Sequence, residues 1–190
     1  MRIDHIAYRV KDRKKTSKFF IDALGYKIQT EFDLKFPDGT TTDCIALEPP
    51  EKEPRDKFAK ESEFADKIIP WQIYDPEWNA YQYHLAPEIF VSDGQPESIV
   101  GKWVAERNGI GGIHHIAYMV DNVENTMKEW IEKGYAEFTS STPMKCPGLT
   151  QIFTKPSELT GVIYEFIERE EFGFCKENVK DLMLSTIDFK

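Results

Sequence analysis

Hydrophobic and polar residues alternate with a period of two at two places in the chain, and a helical pattern follows each place. The first alternating segment reads IDHIAYRV from residue 3, and the second reads IHHIAYMV from residue 113. A period of two is typical of a strand with one buried face. The residues that follow, about 12–24 and 122–133, carry apolar side chains at helical spacing. Both places therefore predict a strand followed by an amphipathic helix.

These two places are copies of each other. At an offset of 110 residues, 9 of the 19 positions in residues 3–21 are identical to those in residues 113–131. A Gly-Tyr pair follows the predicted helix in each copy, at residues 25–26 and 134–135, which is an offset of 109 residues. Similarity at a fixed offset indicates an internal duplication, so the chain is predicted to contain two related modules.

Three further strands complete each copy. They are predicted at about 26–36, 41–48 and 85–92 in the first copy, and at about 135–140, 149–155 and 161–168 in the second. The predicted fold is α+β, with two tandem βαβββ modules that form a cupped mixed sheet around one site. In the first module the helix should cover the strand face that bears Ile6, Tyr8 and Val10. The face that bears His5 then points into the cup.

The chain divides into four segments. They are a first module at 1–95 with an insertion at about 50–82, a linker helix at 96–110, a second module at 111–170 and a C-terminal tail, predicted to be helical, at 171–190. The insertion contains the stretch IIPWQIYDPEW, which is too apolar to remain in water. Because it precedes the strand that carries Glu88, we expect it to cover the mouth of the cup. A dimer contact or packing on the outside is the alternative.

Candidate metal ligands recur in both copies. His5 and His115 occupy equivalent positions, and a twofold arrangement of the modules would bring them together. Glu88 and Glu165 lie in hydrophobic runs in the last strands, where a carboxylate is costly unless it is paired or bound to a cation. The His-to-Glu spacing is 83 residues in the first copy and 50 in the second, and the insertion accounts for the difference. We predict one divalent metal held by His5, Glu88, His115 and Glu165. A solvated strand edge or a core ion pair is the alternative for the two carboxylates.

Two imidazoles and two carboxylates balance a divalent ion and leave two octahedral positions open. This donor set favours Mn, Co, Ni or Fe(II), and Zn is also compatible with it. Open positions indicate chemistry rather than a structural metal. His114 lies on the opposite face by alternation and His84 precedes its strand, so both are predicted to be supporting or surface residues.

Composition narrows the class of partner. The net charge of -9, without a cluster of Lys and Arg, argues against a nucleic-acid-binding surface. No run approaches the roughly 18 apolar residues of a membrane span, and the start reads as a strand, so a cytoplasmic location without membrane association is expected. The three cysteines lie far apart and leave an odd one over, so a disulfide framework is not expected.

The motifs DHIAYRV, GGIHHIAYMVDNVENTMKEWIEKG and KPSELTGVIYEFIE resemble the vicinal oxygen chelate superfamily. Its members include glyoxalase I, methylmalonyl-CoA epimerase, 4-hydroxyphenylpyruvate and extradiol dioxygenases, and bleomycin resistance proteins. The resemblance covers nearly the whole chain except 50–82 and the tail, and residues 111–168 are most similar to methylmalonyl-CoA epimerase. It implies a glyoxalase-like cup, with metal ligands at His5, His115 and Glu165 and with Glu88 in the fourth position. It also implies a small-molecule substrate with adjacent oxygens, and it leaves a monomer or a homodimer open.

The activity that this resemblance implies first is that of a metal-dependent isomerase, epimerase or lyase. In such enzymes a chelated enolate forms next to a carbonyl, and Glu165 or Glu88 would move the α-proton. Asp43 and Glu48 are candidates for a second acid–base group. One alternative is a non-haem Fe(II) dioxygenase of the 4-hydroxyphenylpyruvate or extradiol type, which uses two histidines and one carboxylate. A non-catalytic small-molecule-binding protein is the other.

Overall fold

The computed structural model describes residues 2–50, 86–169 and 174–188. The first module comprises β1 (Arg2–Val10), α1 (Arg13–Leu24), β2 (Lys27–Lys35), β3 (Thr41–Glu48) and β4 (Glu88–Gly94). The second comprises β5 (Gly111–Met119), α3 (Val123–Glu132), β6 (Met144–Cys146), β7 (Leu149–Phe153) and β8 (Ile163–Arg169). Helix α2 (Ile99–Ala105) connects the modules, and α4 (Lys176–Ser185) follows the second. The prediction of an α+β fold with two βαβββ modules is confirmed.

The strands of both modules form one sheet in the order β2-β3-β4-β1-β5-β8-β7-β6. The first strands of the modules, β1 and β5, lie side by side and antiparallel at its centre. Each of them pairs on its other side, in parallel, with the last strand of its own module. The sheet therefore has an approximate twofold axis between β1 and β5.

Helices α1 and α3 cover one face of the sheet. A polar side chain caps each N-terminus, since Asp12 accepts from the Lys15 backbone N–H and Asn122 accepts from the Asn125 backbone N–H. Phe20 of α1 packs in one cluster with Val10 and with the partly buried Ile6 and Tyr8. The predicted packing of α1 against this face of β1 is confirmed. Val123 and Met127 of α3 pack on β7 and β8 in the same way.

Helices α2 and α4 pack against the opposite face. Val100 and Trp103 of α2 share a buried cluster with Ala7 of β1, and so do Val179 and Met183 of α4. This face carries the histidines, so α4 lies over the interior of the cup. In the part of the chain that is described, no helix has the length and apolar character needed to cross a bilayer.

Two predictions about the chain lie outside the described residues, and a third differs from the structure. The insertion at about 50–82, apart from Pro50, and His84 lie outside the described residues. The strand predicted at about 135–140 is wrong, because that segment forms only the isolated bridge between Phe138 and Thr154. The short strand β6 instead forms the edge of the sheet, where it pairs with residues 149–151 of β7.

A disulfide joins Cys146 of β6 to Cys175, the residue before α4, and Cys44 is free and buried. The expectation of no disulfide was therefore wrong for this pair. The two cysteines are 29 residues apart in the chain and meet only because α4 folds back across the sheet. The disulfide therefore links the start of α4, which lies over the cup, to the edge strand β6.

We predict that Cys175→Ser lowers the unfolding free energy by about 3 kcal/mol, because an open loop of this length gains conformational entropy in the unfolded chain. Urea unfolding with and without reductant measures this loss, and reductant should affect the wild type but not the variant. Thiol titration of the denatured, unreduced wild type should find one thiol. Three thiols, with no effect of reductant on stability, would contradict the bond.

Candidate metal centre

Each of the two central strands has a β-bulge beside its histidine. In β1, Asp4 and His5 together lie opposite Ala117, and in β5 the additional residue is His114, next to His115. A bulge interrupts the alternation of side chains along a strand. As a result Asp4 and His114 are buried beside the two histidines that the repeat singled out.

The two bulges explain the position of His114. Strict alternation places its side chain on the face opposite His115, whereas the structure places both in the lining of the same cavity. Its Nδ1 lies 2.9 Å from Nδ1 of His115. His114 therefore supports a candidate ligand from the side, as Asp4 does in the first module.

Three donor atoms meet at the centre of the cup. Nε2 of His5 lies 3.1 Å from Nε2 of His115, and Oε2 of Glu165 lies 3.3 Å and 3.1 Å from these two nitrogens. All three side chains are buried. Ligand bonds of about 2.1 Å at right angles would put neighbouring donors about 3.0 Å apart. The triangle therefore fits three adjacent ligand positions around one ion.

The orientation of His5 depends on a charged pair behind it. Nδ1 of His5 lies 2.8 Å from Oδ1 of Asp4, which fixes the ring and directs Nε2 towards the other donors. Arg169 donates to both carboxylate oxygens of Asp4, at 2.7 Å from Nη2 and 3.0 Å from Nε. A bidentate pair of this kind holds the carboxylate in one position.

The electrostatics of the centre favour a cation among the three donors. Burial opposes the charged His5 ring, but Glu165 and Asp4 outweigh burial and raise the pKa of His5 to about 9. Burial likewise opposes the Glu165 carboxylate, yet His5 and His115 lower its pKa to about 2. Burial lowers the pKa of His115. The centre thus retains one positive charge next to Glu165, and a divalent ion would take the place of that proton.

Glu88, the fourth predicted ligand, is not brought into this group. Among the described residues, the donor atoms that lie within 4.8 Å of one another here belong to His5, His115 and Glu165. The Glu88 carboxylate instead accepts from Arg169 Nη2 at 3.0 Å and from Gln29 Nε2 at 3.1 Å. A buried ion pair, which was the alternative for this carboxylate, describes its position.

The strand pairings show which residue of the first module corresponds to Glu165. Ala117 pairs with Glu165, and Ala7, the repeat equivalent of Ala117, pairs with Phe90. Glu88 pairs with His5, two residues earlier in the register. The position related to Glu165 is therefore occupied by an aromatic ring.

The three donors line a partly open cavity in the cup. Its apolar lining comprises Ala7, Phe90, Phe153, Phe174, Val179, Leu182 and Met183. Its polar lining, apart from the three donors, comprises Arg9, Ser92, His114 and Gln151. Two buried atoms in this lining, His114 Nε2 and Gln151 Oε1, have no hydrogen-bond partner.

The other carboxylates that the sequence suggested lie elsewhere. Neither Asp43 nor Glu48 lines the cavity, and Asp43 pairs with Arg13 at 3.1 Å. Sequence reasoning missed Asp4, although the repeat aligns it with His114 beside the second histidine. A second close group, Cys146, Cys175 and Glu177, offers no thiolate because its cysteines form the disulfide.

The model of the Glyoxalase/Bleomycin resistance protein/Dioxygenase superfamily matches residues 4–150. No curated protein is similar enough in sequence to match the chain. A methylmalonyl-CoA epimerase from Mycobacterium tuberculosis is 17% identical, with a TM-score of 0.58 over 90% of this chain and 89% of that chain. A methylmalonyl-CoA epimerase variant from Streptomyces coelicolor in complex with 2-nitronate-propionyl-CoA is 20% identical, with a TM-score of 0.57 over 90% and 99%.

A 4-hydroxymandelate synthase mutant from Streptomyces coelicolor is 15% identical, with a TM-score of 0.68. That similarity covers 97% of this chain and 53% of the synthase, so the chain spans about half of that protein's length. At these identities the solved structures show a shared fold. Proteins of the matched superfamily typically bind a divalent metal, and the three buried donors are suited to hold one.

We predict that Glu165→Ala weakens metal binding by at least about 100-fold, because it removes one of three donors, whereas Glu88→Gln changes the affinity by less than about threefold. Titration with Co(II), followed by its visible absorption, measures both. Glu88→Gln is the matched control, since it neutralises a buried carboxylate outside the donor triangle. Equal losses in the two variants would restore Glu88 to the ligand set.

Asp4→Asn should weaken metal binding by about 10- to 100-fold, because the neutral amide polarises the His5 ring less and no longer holds it through a charged hydrogen bond. The same Co(II) titration measures the change, and circular dichroism checks that the fold is retained. Asp22→Asn, on the exposed face of α1, is the control. Unchanged affinity in Asp4→Asn would show that Asp4 serves only to hold Arg169.

Proposed function

Since the chain belongs to the Glyoxalase/Bleomycin resistance protein/Dioxygenase superfamily, we propose that it is a non-haem Fe(II) dioxygenase that acts on a small 2-oxo acid. His5, His115 and Glu165 would hold the ion. The observation that carries the proposal is that the described residues bring together three donors, with Phe90 in the position that the repeat relates to Glu165. Two histidines and one carboxylate on one face are the donor set of non-haem Fe(II) oxygenases.

Held by His5, His115 and Glu165, Fe(II) would supply the electrons that activate O₂. The overall reaction balances with O₂ as the sole oxidant. Loss of CO₂ from a 2-oxo acid gives up two electrons and takes one oxygen atom, and insertion of the other oxygen atom into a C–H bond gives up two more. The products are CO₂ and a hydroxylated acid that is one carbon shorter.

The isomerase interpretation, which the resemblance placed first, requires a carboxylate that is free to take the α-proton. Within the described lining of the cavity, Glu165 is the only carboxylate, and both histidines contact it. Glu88 is held by Arg169 and Gln29. The cup thus offers few groups for proton transfer, and this supports oxidation over isomerisation.

The remaining lining residues suit the exclusion of water and the orientation of a substrate. Phe90 and Phe174 contact each other at 4.9 Å between ring centroids and form an apolar wall beside His5. Such walls keep water away from reactive species. Gln151 is 1% exposed, and its unpaired Oε1 can accept a hydrogen bond from the hydroxyl group of the product.

The test is O₂ uptake by protein loaded anaerobically with Fe(II), measured against a panel of 2-oxo acids. We expect uptake that requires both Fe(II) and the 2-oxo acid, with release of CO₂ in equal amount. His115→Ala should lower the rate at least about 100-fold by removing a donor, with Asp22→Asn as the control.

Deuterium exchange at the substrate α-carbon distinguishes the isomerase. Exchange with Mn(II)-, Co(II)- or Ni(II)-loaded protein, without O₂ uptake, would overturn the proposal in favour of enolate chemistry. Substrate binding with neither exchange nor O₂ uptake would instead indicate a protein that sequesters its ligand.

A further inference from the structure

Arg9 is a buried cation in the cup that has no acidic partner among the described residues. It is 3% exposed, it lines the cavity, and its guanidinium makes one hydrogen bond, from Nη2 to Thr186 Oγ1 at 3.1 Å. Its guanidinium carbon lies 5.9 Å from the centre of the Trp103 ring. A guanidinium has five N–H donors, so one hydrogen bond leaves most of its hydrogen-bonding capacity available to a ligand in the cavity that Arg9 lines.

Two other arginines of the chain are each paired with two carboxylates. Arg13 pairs with Asp43 and Asp93, and Arg169 pairs with Asp4 and Glu88. Arg9 has no such pair in the described part of the chain, and burial, together with the positive charge of nearby Arg107, lowers its pKa to about 9. An unpaired buried charge destabilises a fold unless a ligand neutralises it.

The position of Arg9 along β1 sets its distance from the metal centre. Every second residue of β1 from position 5 lines the same cavity, namely His5, Ala7 and Arg9. At about 3.3 Å per residue, the backbones of His5 and Arg9 are about 13 Å apart. Ala7 between them has only a methyl group, so no large side chain of β1 separates the metal centre from Arg9.

We propose that Arg9 binds a carboxylate at the far end of the substrate, so that the substrate class is a 2-oxo acid with a second, distal carboxylate. This inference rests on the proposed function, which assigns the 2-oxo end to the metal centre. A guanidinium binds a carboxylate through two parallel hydrogen bonds. One cation balances one carboxylate, whereas a phosphate would leave excess negative charge in a buried site.

Two neighbouring polar groups support binding at this end. Ser92 pairs with Arg9 in the strand register and also lines the cavity. His114 Nε2 is buried without a partner, and His114 lines the same space, so an N–H at Nε2 could donate a hydrogen bond to the ligand carboxylate.

The test compares matched probes that differ only in the distal carboxylate. These are straight-chain 2-oxo dicarboxylic acids of five to eight carbons and the 2-oxo monocarboxylic acids of the same lengths. Binding is measured by titration calorimetry with Zn(II)-loaded protein at fixed ionic strength, so that no turnover intervenes. We expect a preference of at least about tenfold for the dicarboxylate at one chain length or more, despite the acidity of the protein.

Arg9→Gln should reduce that preference to about one, with unchanged metal content, and Arg9→Lys should keep part of it. Arg107→Gln is the matched control, because Arg107 stacks on Trp103 and carries the same charge but does not line the cavity. If Arg9 only supports Thr186 and Trp103, its variants will change stability and leave the preference intact, which would overturn the proposal.

The absence of any preference in the wild type would also overturn the proposal, whether or not the variants fold. The two proposals fail separately. A dicarboxylate preference without O₂ uptake would leave the role of Arg9 standing and reject the dioxygenase. O₂ uptake without a dicarboxylate preference would support the dioxygenase and reject the proposed role of Arg9.

Discussion

The antiparallel pairing of β1 with β5 is the contact on which the metal centre and the cup depend. It brings together two strands that are 110 residues apart and places Nε2 of His5 within 3.1 Å of Nε2 of His115. The bulges in this pairing turn Asp4 and His114 to the same side as the histidines they support. At one end the strands approach so closely that a Cβ on Gly111 would lie 2.0 Å from the Arg9 carbonyl oxygen, and Gly111 has a φ of +85°. Glycine therefore suits this position both by its space and by its backbone conformation.

A buried network of charged side chains beside the metal centre joins three strands, β8, β1 and β4. Arg169 at the end of β8 binds Asp4 of β1 and Glu88 of β4, and Asp4 in turn holds His5. Buried ion pairs of this kind contribute little stability unless every donor and acceptor is satisfied, but they specify geometry strongly. The network explains why Glu88, although buried beside the histidine strand, is engaged by a guanidinium and not by the donor triangle. It also couples the orientation of His5 to residues of the second module.

Much of the fold follows from the sequence because the duplication supplies its own alignment. The repeat predicted both modules, the pairing of His5 with His115 and the buried position of Glu165. The register of β4 could not be obtained in that way, since the insertion hides the offset between the last strands. Spacing alone made Glu88 the repeat equivalent of Glu165. The strand register shows that the equivalent residue is Phe90. Alternation also failed at His114, because a bulge is a property of two paired strands and leaves no mark in one strand's pattern.

The lining of the cup combines opposite charges at its two ends, although the chain as a whole carries a net charge of -9. At one end Glu165 and Asp4 create a negative potential that favours a metal ion, and at the other Arg9 has no carboxylate of its own among the described residues. Potentials inside a low-dielectric cavity depend on nearby charges far more than on the net charge outside. The acidic surface and an acidic substrate are therefore compatible. A substrate with two acidic ends would be oriented by this gradient, because only its 2-oxo end offers two adjacent oxygens to the ion and only its far end can reach the guanidinium.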